Sequence, residues 1–168
     1  MITNRKVAGL AAAVLALAGG GGDRTASASG GNQLPRSGLG FRTHSSSDRQ
    51  WGQTRMVNNL IGLGKVWDYI HRGRYLSFGD MSKRGGGYFP PHQTHRYGTD
   101  CDMRMLNRSA YAQSMTRWSS SYSRTYTAQL VYWMYKRGGV RVVYFNDTSI
   151  PGVRWCSGHD NHLHYGIY

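Results

Sequence analysis

Histidine residues are concentrated in two short segments of this sequence. Five of the seven histidines lie in these segments, first at His92 and His95 and then at His159, His162 and His164. Imidazole is the commonest protein ligand for zinc, and a catalytic zinc takes three protein ligands and leaves one position for water. The clustering therefore indicates a zinc site, with a further histidine beside the metal to transfer protons.

The acidic residues restrict which group can act as a general base. All eight of them are aspartate, and the sequence contains no glutamate. The H-E-x-x-H pattern of many metallopeptidases, in which the glutamate is the base, is therefore absent. A base in this protein has to be a histidine, an aspartate or a chain of water molecules.

Residues 99–105 predict a strand with two different faces. Asp100, Asp102 and Arg104 alternate with apolar residues, so these three polar side chains share one face. Cys101 and the two methionines share the other face, which we expect to lie in the core. The strand would then present two carboxylates on the side where a metal could bind.

The last residues, 162–168, form a second predicted strand. His162 and His164 would emerge on one face of it, about 7 Å apart along the chain. If the two strands pair, His164 and Asp102 come together with His95, which lies in the Gly-rich loop before the first strand. One ion could then be bound by these three side chains, while the other histidine transfers protons beside it.

The remaining sequence predicts a mixture of helices and strands. Apolar residues recur every three or four positions over residues 55–71, as on one face of a helix. A second helix is expected to begin at Ser123 or Thr125 and to end near Arg137, and residues 140–145 form an apolar strand. The expected fold class is α+β: a single domain with a small antiparallel sheet that carries the zinc site and is flanked by helices.

The N-terminal region has the features of an export signal. Residues 1–28 combine a basic start, a short apolar run and an A-x-A cleavage site at Ala26–Ala28. We expect residues 29–50, which are rich in Gly, Ser and Arg, to be a flexible tail and residues 51–168 to form the catalytic domain.

The net charge indicates which partners the protein attracts. The charge is +13, and residues 1–28 account for +2 of it, so the remaining chain keeps 13 − 2 = +11. Such a field attracts polyanions, which for an exported protein are peptidoglycan carboxylates, wall phosphates and anionic lipid surfaces. Charge alone does not exclude nucleic acid.

Three stretches, FGDMSKRGGG, HQTHRYGTDCDMR and HDNHLHYG, together carry a resemblance to a known family. Residues 76–168 resemble the penicillin-insensitive murein endopeptidases, within the superfamily of lysostaphin, D-Ala-D-Ala peptidases and hedgehog domains. An isolated H-x-H element is a weak signal, but all of these elements in the family's order are specific together. The resemblance implies a hedgehog and D-Ala-D-Ala peptidase-like fold.

The resemblance also implies roles for the clustered residues. It implies that His162 is catalytic and that His92 and His159 orient water or polarise the substrate carbonyl. The zinc ligands that it implies are His95, Asp102 and His164.

The activity implied is that of an exported zinc peptidase that hydrolyses D-Ala-containing peptide cross-links of bacterial peptidoglycan, in the periplasm or the cell wall. His162 would be the general base. We expect no nucleic-acid partner and no stable membrane insertion after signal cleavage. The sequence carries no signal for one oligomeric state over another.

Three alternatives belong to other classes. A carboxypeptidase that trims a terminal D-amino acid is the nearest one. A metal-dependent nuclease with a His-Asn-His core would account for the charge but not for the Gly-rich loop or the spacing to Asp102. An inactive wall-binding module would be expected to lack His162 or a zinc ligand, and all four residues are present.

Several residues near the clusters are open to two interpretations. Asp100 could hold a ligating histidine or pair with an arginine. Arg84 with Gly85 and Gly86 could contact carboxylates of the peptide or only shape the loop. Two cysteines, Cys101 and Cys156, could form a disulfide or remain free. Finally, His44 and His71 are expected to be structural, because they lie in the tail and at a helix end.

Overall fold

The computed structural model describes residues 31–168, which form two α-helices and a set of short strands. The predicted signal segment, residues 1–28, lies outside the described residues. The helices are α1 (Thr54–Ile70) and α2 (Arg124–Arg137), and 3-10 turns occur at Ser47–Arg49 and His95–Tyr97. The strands are β1 (Asn32–Gln33), β2 (Ser37–Gly38), β3 (Phe41–Thr43), β4 (Trp51–Gly52), β5 (Leu76–Phe78), β6 (Asp100–Met103), β7 (Met105–Leu106), β8 (Ala112–Gln113), β9 (Val140–Tyr144) and β10 (Leu163–Ile167).

Six of these strands form the main sheet, in the order β2-β3-β5-β6-β10-β9. The predicted α+β class is confirmed, but the sheet is mixed and not wholly antiparallel, because β3 and β5 are parallel. Smaller antiparallel pairs join β1 to β4 and β7 to β8. Apolar residues of both helices and of the main sheet share one hydrophobic core. Within residues 31–168 no helix is long and apolar enough to cross a membrane.

The expected flexible tail is largely structured. Strands β1 to β3 lie within residues 29–50, and β3 pairs directly with β5 of the main sheet. Two side chains anchor this segment: Leu34 and Phe41 are each only 2% exposed. The Phe41 ring lies 5.4 Å from the ring of Phe78, measured between centroids. The composition of residues 29–50 is polar on average, so it did not predict these two buried residues. Backbone hydrogen bonding of β3 to β5 also orders the segment.

Helix α1 confirms the apolar periodicity over residues 55–71. Its inward face is buried, and Trp67, the largest side chain on that face, is 1% exposed. Gly64, which is unfavourable in a helix, has a packing role here. A Cβ on Gly64 would lie 2.8 Å from the backbone oxygen of Leu39, so only glycine lets the turn between β2 and β3 approach the helix this closely.

Helix α2 begins where its capping signal predicted. The side chain of Ser123 accepts a hydrogen bond from the backbone N–H of Tyr126, so Ser123 and not Thr125 is the N-cap. Lys136 and Arg137 lie in the last turn, where positive charge suits the helix dipole.

Strands β6 and β10 show the predicted alternation. Cys101 and Tyr165 are opposite each other and are both fully buried. The Tyr165 hydroxyl donates to Asn59 Oδ1 of α1 at 3.1 Å, which satisfies that polar group inside the core. Both Cys101 and Cys156 are free thiols, so the disulfide alternative is not realised.

The connection between β9 and β10 is fixed to the start of α2 by Asp147. This buried carboxylate accepts hydrogen bonds from Arg124, Tyr122 and Ser149, at 2.6 to 2.9 Å. Burial raises the pKa of Asp147, but these hydrogen bonds outweigh it and hold the pKa below its ordinary value. The charged form is therefore the one that stabilises this connection.

The Phe41→Ala substitution tests whether the N-terminal strands belong to the folded domain. Loss of a buried ring that stacks on the sheet is expected to lower the free energy of unfolding by about 3–5 kcal/mol. Urea denaturation measures the change. As a control, Leu39→Ala removes a side chain that is 60% exposed in the same segment and should change stability by less than about 0.5 kcal/mol. If Phe41→Ala changes the free energy of unfolding as little as Leu39→Ala does, the segment does not belong to the folded domain.

The Asp147→Asn substitution tests the charged network in the β9–β10 connection. The pKa of Asp147 is lower in the folded protein than in the unfolded chain. The stabilisation from the ionised Asp147 is therefore fully present above the unfolded pKa of about 3.9 and is lost as the pH falls through the folded pKa. We expect Asp147→Asn to cost about 1–3 kcal/mol at pH 7, and the difference from wild type to shrink below about pH 4. Denaturation at a series of pH values measures it; a difference that does not vary with pH contradicts the assignment.

Candidate metal centre

Strand pairing between β6 and β10 brings His164 directly opposite Asp102. Their side chains lie on the same face of the sheet, with His164 Nδ1 3.2 Å from Asp102 Oδ1. His95 reaches the same point from its 3-10 turn: its Nε2 lies 3.1 Å from His164 Nδ1 and 3.3 Å from Asp102 Oδ1. Two imidazole nitrogens and one carboxylate oxygen therefore meet at a single point.

These three atoms have the spacing that a tetrahedral zinc site requires. Zinc–nitrogen and zinc–oxygen bonds near 2.0–2.1 Å place the ligand atoms of a tetrahedral site about 3.3 Å apart. The three measured separations are 3.1, 3.2 and 3.3 Å. The His95 side chain is 1% exposed and that of Asp102 is 14% exposed, so little water competes for the donor atoms. The residues present fit a bound divalent cation.

His92 adds a further donor at the edge of this group. Ligand atoms of His92, His95 and Asp102 all lie within 4.8 Å of one another, so these three residues could also hold a metal ion. The Nδ1 atom of His92 is 3.5 Å from Asp102 Oδ2, whereas its Nε2 is 2.8 Å from Asp80 Oδ2. His92 thus lies farther from the shared point than His164 does, and its other nitrogen is held by a carboxylate.

Asp100 supports His164 from behind. His164 Nε2 donates to Asp100 Oδ1 at 2.8 Å, so Nδ1 is the nitrogen of His164 that faces Asp102 and His95. The same carboxylate also forms an ion pair with Arg141, and the Thr99 hydroxyl donates to it. Asp100 therefore contacts both a histidine and an arginine, the two kinds of partner that the sequence left open.

The carboxylates control the charge of the cluster. Burial lowers the pKa of His164, but the hydrogen bonds to Asp100 and Asp102 outweigh it and raise the pKa from 6.5 to about 9. Burial raises the pKa of Asp102, but hydrogen bonds from His164 and His95 hold it well below 3.8. Asp102 is therefore ionised across the physiological range, as a metal ligand has to be.

Asp80 plays a comparable part for His92. The Arg49 guanidinium donates to both oxygens of this carboxylate, at 2.9 and 2.6 Å, while His92 Nε2 lies 2.8 Å from Oδ2. Burial raises the pKa of Asp80, but the hydrogen bonds from His92 and Arg49 lower it to well below 3.8. Asp80 was not among the predicted site residues, although the quoted run FGDMSKRGGG contains it.

His162 lies beside the three converging atoms. Its Nε2 is 3.9 Å from Asp102 Oδ1, and its Nδ1 is 2.7 Å from Asn161 Oδ1. Since an amide oxygen only accepts, Nδ1 carries the proton and Nε2 presents a lone pair towards the site. Burial lowers the pKa of His162 below 6.5, although the Asp102 charge partly opposes this. The arrangement can accept a proton.

His159 stands next to His162, with 4.7 Å between the ring centroids. Its Nδ1 donates to the Ser157 backbone oxygen at 3.0 Å, and its backbone oxygen accepts from the Asn146 N–H. The Asn146 side chain in turn accepts from the Cys156 N–H at 3.0 Å. These hydrogen bonds hold the segment before β10 against the end of β9, and the structure thus brings both predicted histidines to the cluster.

The sequence matches a known protein family. The family described as penicillin-insensitive murein endopeptidase matches residues 21–143, which is more than half of the chain. The chain belongs to that family. A comparison with curated proteins finds no match. Membership of the family supports a hydrolase that acts on murein, the peptidoglycan of bacterial cell walls.

The matched range covers only part of the histidine cluster. His92, His95 and Asp102 lie within residues 21–143, whereas the histidines at 159, 162 and 164 lie beyond it. Strand pairing is what joins the two parts, because β10 returns alongside β6.

The fold also places His44 near the site, which the sequence did not predict. Thr43 pairs with Phe78, and the next residue, His44, then reaches Gly79: a Cβ on Gly79 would lie 2.8 Å from His44 Nε2. His44 Nδ1 is 2.8 Å from Ser77 Oγ. Desolvation and the charge of Arg104 lower the pKa of His44 from 6.5 to about 4. Only the parallel pairing of β3 with β5 reveals this position.

Other predicted residues lie outside the histidine cluster. Arg84 lies over the Trp51 ring, 5.3 Å from its centroid, in a turn that Gly86 closes by donating to the Lys83 oxygen. Gly85 is exposed in the same turn. His71, expected to be structural, lies 2.7 Å from Gln129 Oε1 and packs against Trp67.

Zinc content tests the assignment of the ligands. Wild-type protein dialysed against buffer with trace zinc should retain about one zinc per chain, and His95→Ala and His164→Ala should each retain almost none, because two donors bind much more weakly than three. Inductively coupled plasma mass spectrometry measures the content. His71→Gln serves as the control, since this histidine is remote from the cluster, and should keep the wild-type content. Full retention of zinc by both alanine variants would show that the metal is held elsewhere.

Proposed function

We propose that the protein is an exported zinc peptidase that hydrolyses D-Ala-containing peptide cross-links in peptidoglycan. The observation that carries the proposal is the meeting of His95 Nε2, Asp102 Oδ1 and His164 Nδ1 within 3.3 Å of one another, in a member of a murein endopeptidase family. Residues 51–168 hold all of these groups, and the strands before Trp51 complete the sheet beneath them.

His95, Asp102 and His164 are the proposed zinc ligands. When bound there, zinc supplies Lewis-acid chemistry: it lowers the pKa of water towards ~7 and polarises a carbonyl group. Asp100 keeps His164 in the tautomer that presents Nδ1, through the hydrogen bond at its Nε2. The low pKa of Asp102 keeps its oxygen available as a ligand.

His162 is the proposed general base. Asn161 Oδ1 accepts a hydrogen bond from His162 Nδ1, so the proton stays on Nδ1 and Nε2 is free, 3.9 Å from Asp102 Oδ1. Nε2 accepts the proton of the attacking water and then returns it to the leaving amine, as a single histidine commonly does in amide hydrolysis. No side chain is acylated in this scheme.

His92 and His159 are proposed to act on either side of this centre. His92 is held by Asp80, with its Nδ1 towards Asp102, and can orient water or the substrate carbonyl. His159 keeps its Nε2 free, because its Nδ1 donates to a backbone oxygen. Arg84, Gly85 and Gly86 are assigned to substrate binding, since the next residue after this turn donates to the Arg96 oxygen beside the histidines.

Export to the periplasm or the cell wall is part of the proposal. The signal features of residues 1–28 support it, as does the charge of +11 that remains after the signal is removed. A basic surface favours binding to peptidoglycan, whose peptide stems carry carboxylates. Removal of the signal would leave no stable insertion in the membrane.

Digestion of purified cross-linked muropeptides tests the proposal. Wild type should convert the dimers to monomers, and His162→Ala should lower kcat by about 100-fold or more without loss of zinc. Mass spectrometry of the products separates cleavage of the cross-link from removal of a terminal D-alanine, which would indicate a carboxypeptidase. EDTA should abolish activity, and zinc should restore it in wild type only. Activity that survives both EDTA and the substitution excludes the mechanism.

A further inference from the structure

A cavity of about 540 Å³ opens next to the histidine cluster. A single loop, between β5 and β6, supplies all of its lining residues: Tyr88, Pro90, Pro91, His92, Gln93 and Arg96. The volume suits a small ligand or one part of a larger one. Because His92 belongs both to the lining and to the histidine cluster, a ligand in this cavity would lie beside the proposed catalytic centre.

Arg96 gives the cavity its charge. Four arginines in residues 31–168 form ion pairs, namely Arg49, Arg117, Arg124 and Arg141, and Arg96 is not one of them. Its guanidinium group is therefore available to an anion from outside the described chain. A guanidinium group pairs best with a planar carboxylate, through two parallel hydrogen bonds.

The backbone of Arg96 is held beside the histidine cluster. Its backbone oxygen accepts from the Gly87 N–H at 2.8 Å, which closes the base of the loop. Its guanidinium carbon lies 5.7 Å from the centroid of the Tyr88 ring, within the range of a cation–π interaction. The adjacent residue, His95, is buried in the cluster, so the backbone of Arg96 lies next to the site.

The rest of the lining suits a peptide. Tyr88 is 69% exposed and, with the two prolines, offers an apolar wall to aliphatic side chains. Gln93 offers an amide that can both donate to and accept from a peptide backbone. This combination of one cation, one amide and an apolar wall matches a short peptide that bears a carboxylate.

We infer that Arg96 and Gln93 form a subsite that binds a free carboxylate of the peptide stem next to the bond that is cleaved. The inference rests on the proposed function, because it takes the peptide to be the substrate of the histidine cluster. The loop between β5 and β6 would then select peptide stems that carry a free carboxylate. Stems in which this carboxylate is an amide should bind more weakly.

The test uses a purified cross-linked muropeptide and the same compound after its carboxylates have been converted to amides. Wild type should cleave the carboxylate form with a kcat/KM about tenfold or more above that of the amide form, mainly through KM. Arg96→Gln should lose this preference, because kcat/KM falls for the carboxylate form and stays the same for the amide form. Arg96→Lys should keep part of the preference. As a matched control, Arg72→Gln removes one positive charge from an exposed residue beyond the end of α1 and should keep the wild-type preference.

Binding measured separately distinguishes the two ways in which the idea can fail. Calorimetric titration of both compounds into His162→Ala, with and without Arg96→Gln, reports the subsite without turnover. If wild type cleaves both compounds equally, or Arg96→Gln weakens both equally, the carboxylate subsite is wrong and the proposed function stands. If neither compound is cleaved but binding still depends on the carboxylate and on Arg96, the subsite stands and the proposed peptidase activity fails. If Arg72→Gln loses the preference for the carboxylate form as fully as Arg96→Gln does, the preference comes from the net charge of the protein and the inference is overturned.

Discussion

The pairing register of β6 with β10 is the constraint on which the rest of the site depends. It places His164 opposite Asp102, and it places Cys101 and Tyr165 together in the core. Because side chains alternate along a strand, a slip of one residue would turn the histidine inwards and the buried tyrosine outwards. The apolar core under the sheet and the metal-binding face above it therefore enforce the same register, and stability and function favour a single arrangement.

Above this sheet, hydrogen bonds from the histidine N–H groups to oxygen atoms determine what each histidine can do. Asp100 holds His164, Asp80 holds His92 and Asn161 holds His162, each at one ring nitrogen. The other nitrogen is thereby directed towards the shared point. Asp100 and Asp80 are in turn paired with arginines, so the charge of buried Asp100 and that of partly buried Asp80 are compensated. This framework orients the rings in advance, and a metal would not have to rearrange them.

The parts of this arrangement that follow from local patterns could be predicted from the sequence, and the parts that depend on distant pairing could not. Alternation over residues 99–105 and spacing in the final strand predicted which faces Asp102 and His164 share, and apolar periodicity predicted α1. In contrast, His44 reaches the site only because β3 pairs in parallel with β5, a contact between segments more than 30 residues apart. No local signal marks that pairing, since Leu34 and Phe41 are isolated buried residues in a polar stretch. Asp80 lay in a recognised run, but nothing in its spacing indicated that it would meet His92.

The distribution of charge connects the interior of the protein with its surface. Asp80, Asp100, Asp102, Asp147 and Asp160 all form contacts with histidine or arginine partners within residues 31–168. The scarce negative charge is thus used to orient histidines and to fix loops, and most basic residues of the described range 31–168 have no acidic partner. The excess positive charge must then face solvent, where it favours polyanions of any kind. Discrimination among polyanions requires a fixed cation at a defined place. Arg96, one residue from buried His95 and stacked near Tyr88, is such a cation, and its position links the general attraction of the surface to the chemistry of the site.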